Sequence, residues 1–230
     1  MNRAGGPAAA RPEREWALLD ALSAVVGADV LRRARRRKFA KGDIVFHEGD
    51  PGDTLHLITK GHAAVRVTTP MGDIATLTVL QPGDVFGELA VVSPGPRSST
   101  IVALAPLETL ALHRDVFDDL RHEHPEIDRL LIDVLAAELR RTSKLLLEVA
   151  FVPAEKRIWR RIAELVEVFG RVDGEPVVIP LTQEELAQVV AATRPTVNRV
   201  LRVAEADGVI KLSRGRLEVL DVDEVGRLAR

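Results

Sequence analysis

Glycine is spread unevenly along this chain, and that unevenness constrains the fold more than any other feature. Eight glycines fall between Gly42 and Gly95, and none between Asp115 and Phe169. Frequent breakers cut a chain into short strands, whereas more than fifty residues without one favour helix. Within the glycine-rich stretch, Ile44–Phe46, Leu55–Ile58, Ala63–Val67, Ile74–Leu80 and Ile101–Leu104 read as strands. Turns such as Lys41-Gly42-Asp43 and Pro82-Gly83-Asp84 divide them. Short strands at this spacing predict a small barrel or jelly roll. With aromatics at 3% and no tyrosine, Leu, Val, Ile and Ala must fill its core.

The helical stretches have their own pattern. Trp16 to Ala34 places Leu18, Leu19, Leu22, Val25 and Val26 at helical spacings, after a Gly-, Pro- and Ala-rich tail over residues 1–15. From Glu126 to Val152 a long helix is predicted, with Leu135, Leu139, Thr142, Leu146 and Val149 stepping by four, three, four and three. That heptad-like seam predicts pairing with a second copy. Pro153 disfavours helix in the residue before it and starts the next one well, so it marks a boundary. The expected organisation is a tail at 1–15, a sensor domain at 16–125, a dimerisation helix at 126–152 and a second domain at 153–230.

The second domain reads as helix, turn, helix and wing. Thr182-Gln183-Glu184-Glu185 is a capping box opening a short helix. Thr193 caps the next, which carries Arg194, Thr196, Arg199 and Arg202. Two strand runs follow, Val209–Leu212 and Leu217–Leu220. Between Arg194 and Arg216 there are six basic and two acidic side chains, a local +4 in a chain of net charge −2. Arginine reads guanine through a two-pronged fork, and threonine suits phosphate. Double-stranded DNA is the expected partner, through Thr193, Arg194, Thr196, Arg199, Arg202 and Lys211.

Two segments suggest a ligand. Phe86-Gly87-Glu88-Leu89-Ala90 and Pro96-Arg97-Ser98-Ser99-Thr100 supply what a cyclic phosphate on a ribose needs. Arg97 and the Ser98 hydroxyl can donate to the phosphate, Glu88 can accept from the 2′-hydroxyl, and Gly87 permits close backbone approach. Together they resemble the phosphate-binding cassette of cyclic-nucleotide-binding domains. The candidate ligand residues there are Gly87, Glu88, Leu89, Arg97 and Ser98.

From Trp16 to Val225 the chain therefore resembles the cyclic AMP receptor protein/fumarate-nitrate regulator family of bacterial transcription regulators. The resemblance implies an α+β fold: a cyclic-nucleotide-binding β-barrel, a long dimerisation helix and a C-terminal winged helix-turn-helix. It implies that Thr142 and Ser143, one from each subunit, contact adenine, which favours cyclic AMP over cyclic GMP as effector. It also implies a homodimer on pseudo-palindromic operators and contact with RNA polymerase, for which the loop Arg171–Pro176 is a candidate. Pro195 departs from the family pattern, in which a glutamate between the two arginines accepts from cytosine, so the operator is expected to differ at that base pair.

Other classes are weaker. The absence of cysteine removes disulfide scaffolds, thiolate metal sites and, within this family, cysteine-held iron–sulfur clusters. No hydrolase motif and no metal-ligating spacing is present; His122-Glu123-His124 lacks the i, i+4 arrangement and reads as a solvated loop. An enzyme and a metal cofactor are therefore not expected. A ligand-independent regulator, a sensor of cyclic GMP, another nucleotide or haem, and a regulatory module without DNA remain alternatives. No run approaches the ~18 apolar residues of a membrane span, so a cytoplasmic protein is expected. The basic run Arg32–Lys38 reads as a solvated face where helix meets strand.

Overall fold

The computed structural model describes residues 32–170 and 175–230. The expected tail, nearly all of the Trp16–Ala34 helix and most of the Arg171–Pro176 loop lie outside them.

Eight strands make two four-stranded antiparallel sheets: β1 (Arg35–Phe39), β2 (Ile44–Phe46), β3 (Thr54–Lys60), β4 (Ala63–Thr68), β5 (Ile74–Leu80), β6 (Val85–Phe86), β7 (Thr100–Ala103) and β8 (Leu107–His113). Their orders are β1-β8-β3-β6 and β2-β7-β4-β5. Ile58, Phe86 and Leu107 of the first sheet meet Ala63, Ile101 and Ala103 of the second in a dry core. This is the jelly roll that the glycine punctuation predicts. Gly61 shows why one turn needs glycine: its φ is +83°, and a Cβ there would lie 2.2 Å from the Pro106 carbonyl oxygen.

A short helix, α1 (Glu88–Val92), sits between β6 and β7. The roll closes on α2 (Arg114–Glu123), which buries Phe117 and Leu120 against Leu55 and Leu112. His122 lies in the last turn of α2, which Glu123 ends and His124 caps, so this pair is a helix terminus rather than a loop. Next comes α3 (Glu126–Phe151), 26 residues long, whose first turns join the same core through Ile127 and Leu131. Its later turns are mostly exposed. Val152 is extended, and Pro153 caps α4 (Ala154–Phe169), which Gly170 ends.

The C-terminal part adds β9 (Val177–Ile179), α5 (Gln183–Val189), α6 (Arg194–Ala206), β10 (Ile210–Ser213), β11 (Arg216–Val219) and α7 (Val222–Leu228). Thr182 and Glu185 form the capping box, and Thr193 caps α6. The wing is the antiparallel pair β10–β11, extended by β9. Its core, built on Ile158, Ile162, Val197, Leu201 and Ile210, is continuous with Ala64, Val79 and Leu104 of the roll. The winged unit thus packs on the outer side of β4–β5.

Candidate effector cavity and nucleic-acid interface

Residues from the roll and from α3 enclose a cavity of about 300 Å³. Gly87, Glu88, Leu89, Arg97 and Ser98 all line it, so the structure gathers the whole cassette. Gly87 has φ +80° and leads into α1. A Cβ on it would lie 2.7 Å from the Arg97 guanidinium and 2.9 Å from the Thr54 carbonyl oxygen, so side chains are excluded on two counts.

Arg97 is the centre of the site. It is 5% exposed, and its guanidinium lies 4.0 Å from the centroid of the Phe46 ring. Nη1 donates to the carbonyls of Thr54 at 2.7 Å and Gly87 at 3.2 Å. The backbone is pinned too: the Arg97 amide donates to Asp50 and its carbonyl accepts from Gly49. Burial lowers the pKa of the guanidinium, while Asp53, Asp50 and Glu88 raise it. Nε is buried without a partner among the described residues. A desolvated cation with an unused donor favours an anion strongly, since each unmade bond is costly there.

The opposite wall comes from α3 and α4. Val134, Leu135, Glu138 and Arg141 line it, and Val168 closes one end. Val134, Glu138 and Arg141 step by four and three along one helix face, and Arg141 pairs with Glu138 at 3.2 Å. Sequence reading missed Glu138 and Arg141, although this stripe was visible beside the apolar seam. Thr142 and Ser143 are exposed and do not reach the cavity of their own chain. The Ser143 hydroxyl donates to the Leu139 carbonyl at 2.9 Å.

The second surface is α6. Val197, Val200, Leu201 and Ala204 are buried, which turns Arg194 and Arg199 outward. The Thr193 hydroxyl accepts from the Thr196 amide at 3.4 Å and lies 2.9 Å from the Thr196 hydroxyl. Pro195 is accommodated in the first turn, where no intrahelical N–H is needed. The turn before α6 carries Ala191 at φ +49°. Acids temper the local charge: Glu184 lies 3.6 Å from Arg194, Glu205 pairs with Arg202 at 2.9 Å, and Glu218 stands between Lys211 at 3.8 Å and Arg216 at 2.9 Å. A count ending at Arg216 leaves Glu218 out.

Two family models match these two regions: a cyclic nucleotide-binding domain at residues 36–124 and a Crp-like helix-turn-helix domain at 156–228. A CRP-like cAMP-activated global transcriptional regulator of Mycobacterium tuberculosis is 35% identical over 84% of this chain and 87% of its own. The chain belongs to the CRP/FNR family of transcription regulators. The cyclic AMP receptor protein of Thermus thermophilus is 31% identical over 80% of the chain and 83% of its own. Among solved structures, a CRP-family regulator from the same organism superposes with a TM-score of 0.71 at 25% identity, covering 84% of this chain and 96% of that one. As a CRP/FNR member the chain is a DNA-binding transcription regulator with a cyclic-nucleotide-binding domain, and its relatives are regulators rather than enzymes.

Proposed function

We propose that the protein is a cyclic-AMP-responsive regulator that binds pseudo-palindromic operators as a homodimer. The gathering of Gly87, Glu88, Arg97 and Ser98 around one cavity that faces α3 carries this reading. The phosphate lies against Arg97 and Ser98, with the ribose hydroxyl on Glu88. The purine points to α3, where Thr142 of one subunit and Ser143 of the other complete the contact once two helices pair. The exposed apolar side chains of α3 supply the pairing surface. The activating ligands named for the mycobacterial and Thermus relatives support cyclic AMP. Paired helices set two copies of α6 about one DNA turn apart, ~34 Å. Thr193, Arg194, Thr196, Arg199, Arg202 and Lys211 then meet the duplex, and the bound regulator meets RNA polymerase in the cytoplasm.

The decisive experiment is calorimetry of cyclic AMP on wild type and Arg97→Ala, followed by DNA binding with and without the nucleotide. Wild type is expected to bind cyclic AMP and to gain DNA affinity. Arg97→Ala should lose at least tenfold in nucleotide affinity and with it the gain. Equal nucleotide affinity in both proteins refutes the phosphate role.

A further inference from the structure

The basic run Arg32–Lys38 is not used by the function above, and the structure divides it by face. Side chains on β1 alternate. Arg36 and Lys38 lie on one face, 3.7 and 3.3 Å from the Glu108 carboxylate. Arg35 and Arg37 lie on the other and line a second cavity, of about 450 Å³. Neither has a carboxylate partner among the described residues. The sheet register shows which face this is. Arg35 lies opposite Ala111, Ala111 opposite His56, and His56 opposite Phe86. His56 and Phe86 stack inside the roll at 5.0 Å. Two guanidiniums therefore stand on the inner face of an edge strand, where a sandwich ordinarily places core residues.

The cavity is separate from the effector cavity, and Arg97 and Phe46 form the wall between them. Three guanidiniums, of Arg35, Arg37 and Arg97, face two carboxylates. Asp50 already accepts from the His47 amide at 2.8 Å, and Asp53 accepts from the Thr54 hydroxyl at 2.6 Å and lies 3.4 Å from His113. A fourth, Arg33, is tied to Glu123. Residues two apart on a strand are separated by about 6.6 Å. That spacing lets two linked phosphates sit side by side, each in its own arginine fork.

We propose that this mouth of the roll is a second anion site, built by Arg35 and Arg37 for a compact polyanion of the di- or triphosphate class. The phosphates can come from an inorganic polyphosphate or from a nucleoside triphosphate, and the aromatic lining of Phe46 and His56 gives the latter an additional surface.

The test is calorimetry of sodium tripolyphosphate and of ATP on the full chain, at fixed salt and saturating cyclic AMP. The comparison proteins are Arg35→Gln/Arg37→Gln, Arg35→Lys/Arg37→Lys and Arg199→Ala/Lys211→Ala. One tripolyphosphate per chain is expected with cyclic AMP already bound. The glutamine pair should weaken it at least tenfold and the lysine pair by less, because charge remains but the fork is lost. Both should keep wild-type cyclic AMP affinity and melting temperature. The Arg199/Lys211 pair should bind tripolyphosphate like wild type. ATP tighter than tripolyphosphate assigns the nucleotide source, and the reverse assigns the inorganic one. Unchanged affinity in the glutamine pair overturns the site and leaves the inner arginines only blunting an edge strand. So does a loss confined to the Arg199/Lys211 pair, or full displacement by cyclic AMP. The cyclic AMP assignment stands or falls on Arg97→Ala alone, so failure of either idea is distinguishable from failure of the other.

Discussion

His56 shows how one buried side chain ties the fold to solution conditions. It stacks on Phe86 inside the roll, and its Nδ1 lies 3.1 Å from the Thr109 hydroxyl. Burial, then the charges of Arg97 and Arg37, push its pKa down to about 4 from 6.5. The folded protein therefore keeps His56 neutral where the unfolded chain takes up a proton. Its stabilising contribution is complete above pH 6.5 and is lost as pH falls toward 4. Unfolding free energy is expected to be about 2 kcal/mol lower at pH 5 than at pH 7.5 from this group. Urea titrations at the two pH values check this, and His56→Gln should remove most of the difference; an unchanged difference would assign it elsewhere. Single residues were legible in the sequence where chemistry demands a residue type in a short stretch. Gly87, Glu88, Arg97 and Ser98 are of this kind, and one cavity holds them all. Glu138 and Arg141 show only as a stripe beside the seam, because nothing near them in sequence says that the opposite wall of the cavity lies forty residues after the cassette.

At the scale of elements, α3 is the clearest case. Its period was readable, and the exposed side chains lie on the seam: Leu139 is 69% exposed and Leu146 68%. Monomeric proteins seldom leave such a stripe in water. Leu139→Glu/Leu146→Glu is expected to shift the protein from dimer to monomer in analytical ultracentrifugation at micromolar concentration. The roll, whose core lies at the other end of the helix, should melt within a few degrees of wild type. A dimer that persists in the double variant would place the subunit contact elsewhere. By contrast, β1 was hidden. Arg35 to Lys38 carry the same charge on both faces, so alternation leaves no trace in the sequence, and a strand looked like a solvated junction. The helix α1 was hidden for a different reason: at five residues it is too short to show a period.

The whole molecule adds contacts that no local pattern announces. The winged unit sits on β4–β5 through three polar links. Arg66 pairs with Glu185 at 2.7 Å, the Thr76 hydroxyl donates to Gln188 at 3.1 Å, and a His62 ring nitrogen lies 3.2 Å from the Val168 carbonyl. All three pairs are more than a hundred residues apart in sequence. β5 also lines the effector cavity, through Leu77, Val79 and Leu80, and Val168 of α4 lines the same cavity. One hairpin therefore touches both the ligand space and α5, which gives a route for coupling within a single subunit. In this docked arrangement Arg194 and Arg199 remain exposed, so docking fixes α6 without covering it. Arg66→Ala is accordingly expected to weaken effector-stimulated DNA binding three- to tenfold, about 1 kcal/mol, in an anisotropy titration. Glu185 also accepts from the Thr182 amide at 2.8 Å, so its removal would confuse docking with helix capping. Glu185→Gln separates the two, because glutamine still serves a capping box but carries no charge for Arg66. It should reproduce most of the Arg66→Ala loss with little change in melting temperature. If Arg66→Ala binds DNA as tightly as wild type, or gains affinity without effector, the docked arrangement restrains α6 instead of presenting it.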